Sequence, residues 1–372
     1  MNPTLSQISH EDGAYHFTLS NINVSLANAI RRTILSEIPT LAFITEFYES
    51  NKCHILENTS RLHNEIIKQR LGCIPIHEKN LMRLPENYIL EVDVTNDTDN
   101  TLYVTTEHFK IKNKTDGTYL SEEETHRIFP KNDMTNQYID FVRLRPKICD
   151  SIPGEKLKLT CEFAVSNARY NSMYNVVSKC TYANTPDNTK VSKAWDEKLE
   201  VLTSEASSKE GWSKEEIEFH KANFMVLDKQ RLYVPDSFDF VIQTVGVYEN
   251  AEIVKMACHI LTQKFEDMIA NLEADNVPII NNETTMEDSF DVILENEDYT
   301  MGKVLEYILY ENHYQGDNTL TFCGFKKMHP HDNDSIIRVA FANKSSKTDV
   351  KALLSKSCAA ASKLYKSLSH KF

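Results

Sequence analysis

The chain has 372 residues, 41% hydrophobic and 26% charged, enough apolar material for two or three globular domains and too much for a disordered chain. Its formal net charge of -13 excludes a protein that grips a nucleic-acid backbone, which needs clustered Lys and Arg; acidic runs such as Glu122-Glu123-Glu124 and the Glu283–Asp298 stretch point to work among other proteins. No apolar run reaches about 18 residues, and the first residues have neither a basic start nor an apolar core, so no membrane span or secretory leader is expected and the protein should be soluble.

A strand is expected over Tyr15–Leu19, followed by Ile22 and Val24. Leu26, Ala27, Ile30, Ile34, Leu35 and Ile38 then recur at helical spacing, with Asn23 or Ser25 as N-cap, Pro39 as terminator, and Arg31 and Arg32 in the middle. From about Ser50 to Thr185 the pattern changes to short alternating runs, Tyr88–Val94, Leu102–Thr105 and Lys156–Cys161, separated by polar turns. This region reads as a mostly β domain inserted into the first. Within it, Arg70-Leu71-Gly72 with Pro75 reads as a helix closed by a left-handed glycine cap and followed by a strand.

Asp187 to Lys229 is polar, with Ser204–Glu218 expected as loop and short helix. A strand at Phe238–Ile242 precedes the strongest helical pattern, in which Ile253, Ala257, Ile260, Leu261, Phe265, Met268, Ile269 and Leu272 step by three and four. Residues 273–288 read as a linker; extended at about 3.3 Å per residue it reaches on the order of 50 Å, enough to return along the preceding helix at about 1.5 Å per residue.

A second unit repeats the plan of the first. Strand 290–294 is followed by a helix carrying Met301, Val304, Leu305, Ile308 and Leu309, two strands at Leu320–Phe325 and Ile336–Phe341, and a closing helix with Val350, Leu354, Ala361, Leu364 and Leu368, capped by Thr348 or Asp349. Ser25–Ile30 aligns over Thr300–Leu305. The expected fold class is therefore α+β: two units, each a thin antiparallel sheet with a short and a long helix, packed as a pseudo-twofold pair. Residues 1–49 and 186–272 would form the first unit, 50–185 its β-rich insert, 273–288 the linker and 289–372 the second unit. The plainer alternative is two unrelated α+β domains. Ile253, Ile260, Phe265 and Leu272 should pack against Val350, Leu354, Leu364 and Leu368, with Leu26, Ile30, Ile34, Met301 and Leu305 completing the core.

Chemistry-bearing motifs are scarce. The eight cysteines include no C-x-x-C pair and read as reduced, buried thiols. Cys53-His54, His63, Cys73 and His77 fit no zinc spacing, nor do Cys323, His329 and His331 around a turn. There is no Walker-type loop, no G-x-S-x-G elbow and no D-x-D-x-D triplet, so no catalytic residue, metal or cofactor is expected.

Several motifs resemble, in order, those of the alpha-like RNA polymerase subunits: bacterial alpha, the archaeal D subunit and the third-largest subunit of eukaryotic polymerase II. They are Val24–Arg32 ending in Glu37–Ala42, His63–Ile76, Gly154–Cys161, and Val241–Leu272 with Val245-Gly246. Asp298–Leu305 and Phe325–Val339, with His329-Pro330, are similar to the small partner, the archaeal L-like or eukaryotic eleventh subunit. The resemblance implies a non-catalytic assembly platform of a DNA-directed RNA polymerase, with D-like and L-like dimerisation domains joined as in the fused subunit of some large nucleocytoplasmic DNA viruses. It would locate to virion and host cytoplasm. Partners implied are the second-largest (beta-like) and largest (beta-prime-like) subunits and small polymerase subunits. Arg31 and Arg32, with Asn28 beside them, are implied to grip the beta-like subunit, a task suited to the planar guanidinium fork. Lys303 and Glu306 stand where the family often has Asn and Arg. The cysteine cluster of some D-like subunits is absent, and the chain ends on the helix near Phe372, where bacterial alpha continues into a DNA-binding domain. A regulatory adaptor built on the same scaffold outside the polymerase is the alternative reading.

Overall fold

The computed structural model describes residues 2–149, 152–206, 212–282 and 286–372. Part of the expected 204–218 loop and part of the 273–288 linker and its acidic run therefore lie outside the described residues. The chain divides into two compact units: Met1–Thr33, Lys179–Gln243 and Val254–Phe372 form one, and Ile34–Ser178 with Thr244–Ile253 the other.

The first unit holds two antiparallel four-stranded sheets. One has the order Thr4–Glu11, Ala14–Ser20, Tyr233–Thr244, Val177–Pro186. Its first hairpin turns at Asp12 (φ +50°) and Gly13 (φ +75°), the two left-handed positions that an Asp-Gly loop supplies. Strand Thr4–Glu11 was not expected because it is a solvated edge with little apolar alternation. Strand Val177–Pro186, expected within the insert, pairs in this sheet instead.

The other sheet has the order Ile279–Asn281, Ser289–Leu294, Ser335–Phe341, Leu320–Lys326. Its edge strand Ile279–Asn281 comes from the expected linker: Ile279 lies opposite Val292 and Asn281 opposite Phe290, so this stretch is paired backbone rather than free chain.

Four helices accompany these sheets: Val24–Ser36, Asn250–Glu273, Tyr299–Leu309 and Lys347–Ser369, the first two passing into the second unit at one end. The closing helix is capped by Ser346, reciprocated by Asp349 in a capping box, and not by Thr348. Two further helices, Asn188–Ala206 and Lys214–Val226, occupy the polar region, the second starting within the stretch expected as loop and short helix; among the described residues they bury a small cluster of Val191, Trp195 and Phe224, and this is why their pattern reads as polar.

The second unit is built on a sheet ordered Cys53–Asn58, Lys156–Glu162, Tyr88–Thr95, Lys110–Asn113. Leu157, Leu159 and Cys161 point into its core, the period-two pattern legible in the sequence. Helix Asn64–Gly72 ends differently from expectation. Gly72 is its last residue and is not left-handed, and no strand starts at Pro75. The glycine is needed for space instead: a Cβ there would lie 2.6 Å from the Met173 sulfur.

Candidate functional site

Two short helices carry the residues singled out by the sequence. The first, Val24–Ser36, is capped by Asn23, whose Oδ1 accepts the Ser25 N–H at 2.9 Å. Its apolar stripe places Leu26, Ile30 and Ile34 in the interior, while Asn28, Arg31 and Arg32 are half-buried on the other faces. Arg31 Nε donates to Asn28 Oδ1 at 2.9 Å, one turn back. Arg32 turns toward the second short helix, Tyr299–Leu309. Its Nη2 donates to Asp298 Oδ2 at 2.6 Å and its Nε to Thr300 Oγ1 at 2.9 Å. Asp298 is the N-cap of that helix, with Oδ1 accepting the Thr300 N–H at 2.8 Å.

One carboxylate thus caps the second helix and anchors an arginine from the first. Burial opposes its ionisation, but the Thr300 hydrogen bonds and the Arg32 charge outweigh that and hold the Asp298 carboxyl below the usual range. The expectation for Arg31 and Arg32 was an outward grip; of the two, Arg32 is engaged inside the chain.

At the aligned positions of the second helix the chemistry differs. Lys303 Nζ pairs with Glu306 Oε2 at 2.5 Å, and Glu306 Oε1 accepts the Phe325 N–H at 3.0 Å. Gly302, aligned with Ala27, lies under the Phe325 ring; a Cβ there would overlap the ring at 2.0 Å.

The two long helices meet through Phe265 and Tyr365, stacked at 6.0 Å with planes 8° apart. Tyr365 is fully buried and its hydroxyl donates to the Leu26 carbonyl at 3.2 Å; burial pushes its phenol well above the usual pKa. Ser362 Oγ donates to Glu266 Oε1 at 3.1 Å, Lys264 pairs with Glu297 at 3.0 Å, and the Phe372 ring meets Phe17 edge-on at 5.0 Å.

Of the expected core residues, Leu26, Ile30, Ile34, Ile253, Phe265, Leu272, Met301, Leu305, Leu354 and Leu368 are buried, Ile34 and Ile253 falling in the second unit. Ile260 and Leu364 are only half-buried. The buried stripes run through Leu261 and Tyr365, one position on, and Ile260 borders an open groove with His259, Gln263, Lys366 and His370. Sequence reasoning missed Tyr365, while Cys258 and Cys358 are buried as their reading as buried thiols has it. The signal was available: Cys258, Thr262 and Phe265 keep the same spacing as Cys358, Ser362 and Tyr365.

Among the described residues no group of three or more His, Cys, Asp or Glu is placed to hold a metal ion, and no helix is long and apolar enough to cross a membrane. Cys73, expected at an apolar position, is exposed.

The RNA polymerase Rpb3/Rpb11 dimerisation domain matches residues 16–265, and a second form of that domain matches residues 289–371. The chain belongs to the Rpb3/Rpb11 dimerisation-domain family. It is similar to the Rpo3 subunit of DNA-directed RNA polymerase from Pyrococcus horikoshii, 27% identical over 69% of this chain and 93% of the relative. A conjugation stage-specific protein of Tetrahymena thermophila is 23% identical over 72% of this chain and 94% of the relative. Human RPAC1, of RNA polymerases I and III, is 37% identical over 18% of this chain and 17% of its own length. Both Rpb3/Rpb11 domains thus lie in one polypeptide, and the Arg32–Asp298 and Phe265–Tyr365 contacts join the residues of one to those of the other.

Proposed function

We propose that this chain is a non-catalytic assembly platform of a DNA-directed RNA polymerase, an alpha-like heterodimer folded within a single polypeptide. Its two Rpb3/Rpb11 domains, matched in order at residues 16–265 and 289–371, are the observation that carries the reading. The D-like part comprises 1–49 and 186–272 together with the strand Val177–Pro186 that pairs in its sheet, the insert is the rest of 50–185, and the L-like part is 289–372, joined through 273–288. Tethering raises the effective concentration of the second part, so pairing does not depend on protein concentration.

The two parts pack as a pseudo-twofold pair. Supporting this, Phe265 and Tyr365 hold the same place in the shared spacing Cys258-Thr262-Phe265 and Cys358-Ser362-Tyr365 and stack on each other, as residues beside a twofold axis do. Arg32 reaches the capping residue Asp298, while burial, then the charges of Glu311 and, least, Asp236 raise the phenol pKa of Tyr307, the residue aligned with Arg32, to about 12. The main chain of Asp236 accepts the Ile22 N–H beside the first helix, so each short helix addresses the start of the other.

The platform docks the second-largest, beta-like and largest, beta-prime-like subunits, with small polymerase subunits, and contributes no catalytic residue, metal or cofactor. Arg31, with Asn28, is the outward grip on the beta-like subunit, and Arg32 supports it by fixing the helix. The joining of both parts resembles the fused subunit of large nucleocytoplasmic DNA viruses, and we place the protein in such a transcription machinery, in virion and host cytoplasm.

Arg31→Glu tests the grip. It reverses a half-exposed charge without touching Asp298, so the fold should persist while co-purification of the beta-like subunit falls at least tenfold. Unchanged recovery contradicts the assignment. Arg32→Glu is the poorer test, because it sets a carboxylate against Asp298 and confounds docking with stability.

A further inference from the structure

The unit bearing the β-rich insert holds a thiol pair that the assembly role does not use. Strand Cys53–Asn58 is the edge of its sheet, and the antiparallel register sets Cys53 directly opposite Cys161 on Lys156–Glu162. The two residues are 1% and 0% exposed, and both are free thiols.

Asn51 decides which kind of cross-strand pair they are. Its Oδ1 accepts the Cys53 N–H at 3.1 Å and its Nδ2 donates to the Cys53 carbonyl at 3.0 Å. Both backbone groups of Cys53 are therefore turned to Asn51, and the neighbouring ladder bond runs from the Glu162 N–H to the Lys52 carbonyl at 3.2 Å. Cys53 and Cys161 form a non-hydrogen-bonded pair. In such pairs the Cα atoms lie about 4.5 Å apart, closer than in hydrogen-bonded pairs and within the roughly 4.4–6.8 Å that a disulfide spans.

The side chains also interact. The Cys161 S–H is placed to donate to the Glu162 carbonyl at 3.6 Å; the influence of the adjacent Cys161 side chain outweighs burial to bring the Cys53 thiol below its usual pKa, aided by the charge of Lys68. The adjacent Cys53, then burial, pushes Cys161 upward.

We propose that Cys53 and Cys161 are a redox-modification site, at which a peroxide closes a cross-strand disulfide that staples the edge strand to the sheet. The Cys53 thiolate attacks the peroxide; the O–O bond breaks, one oxygen stays as a Cys53 sulfenic acid and the other leaves as water after taking up a proton. The Cys161 sulfur then attacks the sulfenic sulfur. The S–S bond forms, the S–O bond breaks, and the hydroxyl leaves as a second water with the Cys161 proton. Two thiols are oxidised and one hydrogen peroxide is reduced to two waters. Access comes by local opening of the edge strand, whose register slips between Ile55 and Glu57 and whose Leu56 is solvent-exposed.

The test uses the full chain with its exposed thiols removed, Cys73→Ser and Cys149→Ser. It is treated with hydrogen peroxide, quenched, denatured, alkylated with N-ethylmaleimide and digested without reductant. The expected result is one linked peptide pair joining Cys53 to Cys161, reversed by dithiothreitol, with the unalkylated chain lighter by about 2 Da. Amide exchange over residues 53–58 should slow roughly tenfold in the oxidised chain. Full alkylation of both cysteines after oxidation, their appearance as unlinked sulfinic acids, or linkage of either to another cysteine overturns the proposal.

Discussion

The two short helices share an alignment but hold their places by different chemistry. Val24–Ser36 carries Asn28, Arg31 and Arg32 and takes its cap from Asn23; Tyr299–Leu309 carries Lys303, Glu306 and Tyr307 and takes its cap from Asp298. In the first, a cation pairs with a neutral amide one turn back, leaving its charge uncancelled by that partner. In the second, the aligned positions neutralise each other as Lys303–Glu306, and the glutamate also holds the Phe325 backbone. The difference separates two tasks that one motif could perform. The second helix uses its polar face to fix its own sheet, whereas the first turns Arg32 to the cap of the second helix and pairs Arg31 with Asn28.

Substitutions can break this comparison, beginning with the core that both helices share. Tyr365→Ala removes a fully buried ring, its stack on Phe265 and its bond to the Leu26 carbonyl, and should cost about 3–5 kcal/mol in urea denaturation. Asp298→Ala removes a cap and the Arg32 anchor together. A cap contributes about 1 kcal/mol and a half-exposed ion pair no more than about 1, so a loss of roughly 1–2 kcal/mol is expected. A loss below about 0.5 kcal/mol would show that Arg32 is not held by Asp298 in solution.

The same pair sharpens the comparison through pH. The Asp298 carboxyl is lowered in the folded chain, and Asp291 is lowered chiefly by its hydrogen bonds from Arg338. Their contribution is present above the unfolded carboxyl value of about 4 and is lost as pH falls through the lower folded value. Stability measured by denaturation should therefore decline below about pH 4, and Asp298→Asn should make that decline shallower. The smallest stability effect belongs to Arg31→Glu, within about 0.5 kcal/mol of the parent chain, since Arg31 lies on a half-exposed face.

What was legible in the sequence followed from burial. Lys156–Glu162 shows period two because alternate residues enter the core, and the long helix shows its stripe because one face is dry. Thr4–Glu11 was not legible, since a solvated edge needs no apolar alternation; nor was Asn188–Ala206, and Lys214–Val226 was legible only as a short helix, because both bury few side chains. Ile260 and Leu364 misled because apolar type alone does not fix helical phase to one residue. The Arg32–Asp298 contact joins positions far apart in the chain, and no local pattern announces it.

The central claim is tested most directly by native mass spectrometry of the complex purified through this chain. One copy of the chain with one copy each of the two large polymerase subunits is expected, and no separate second alpha-like subunit. Recovery of the chain without large polymerase subunits, or in two copies per complex, would contradict it.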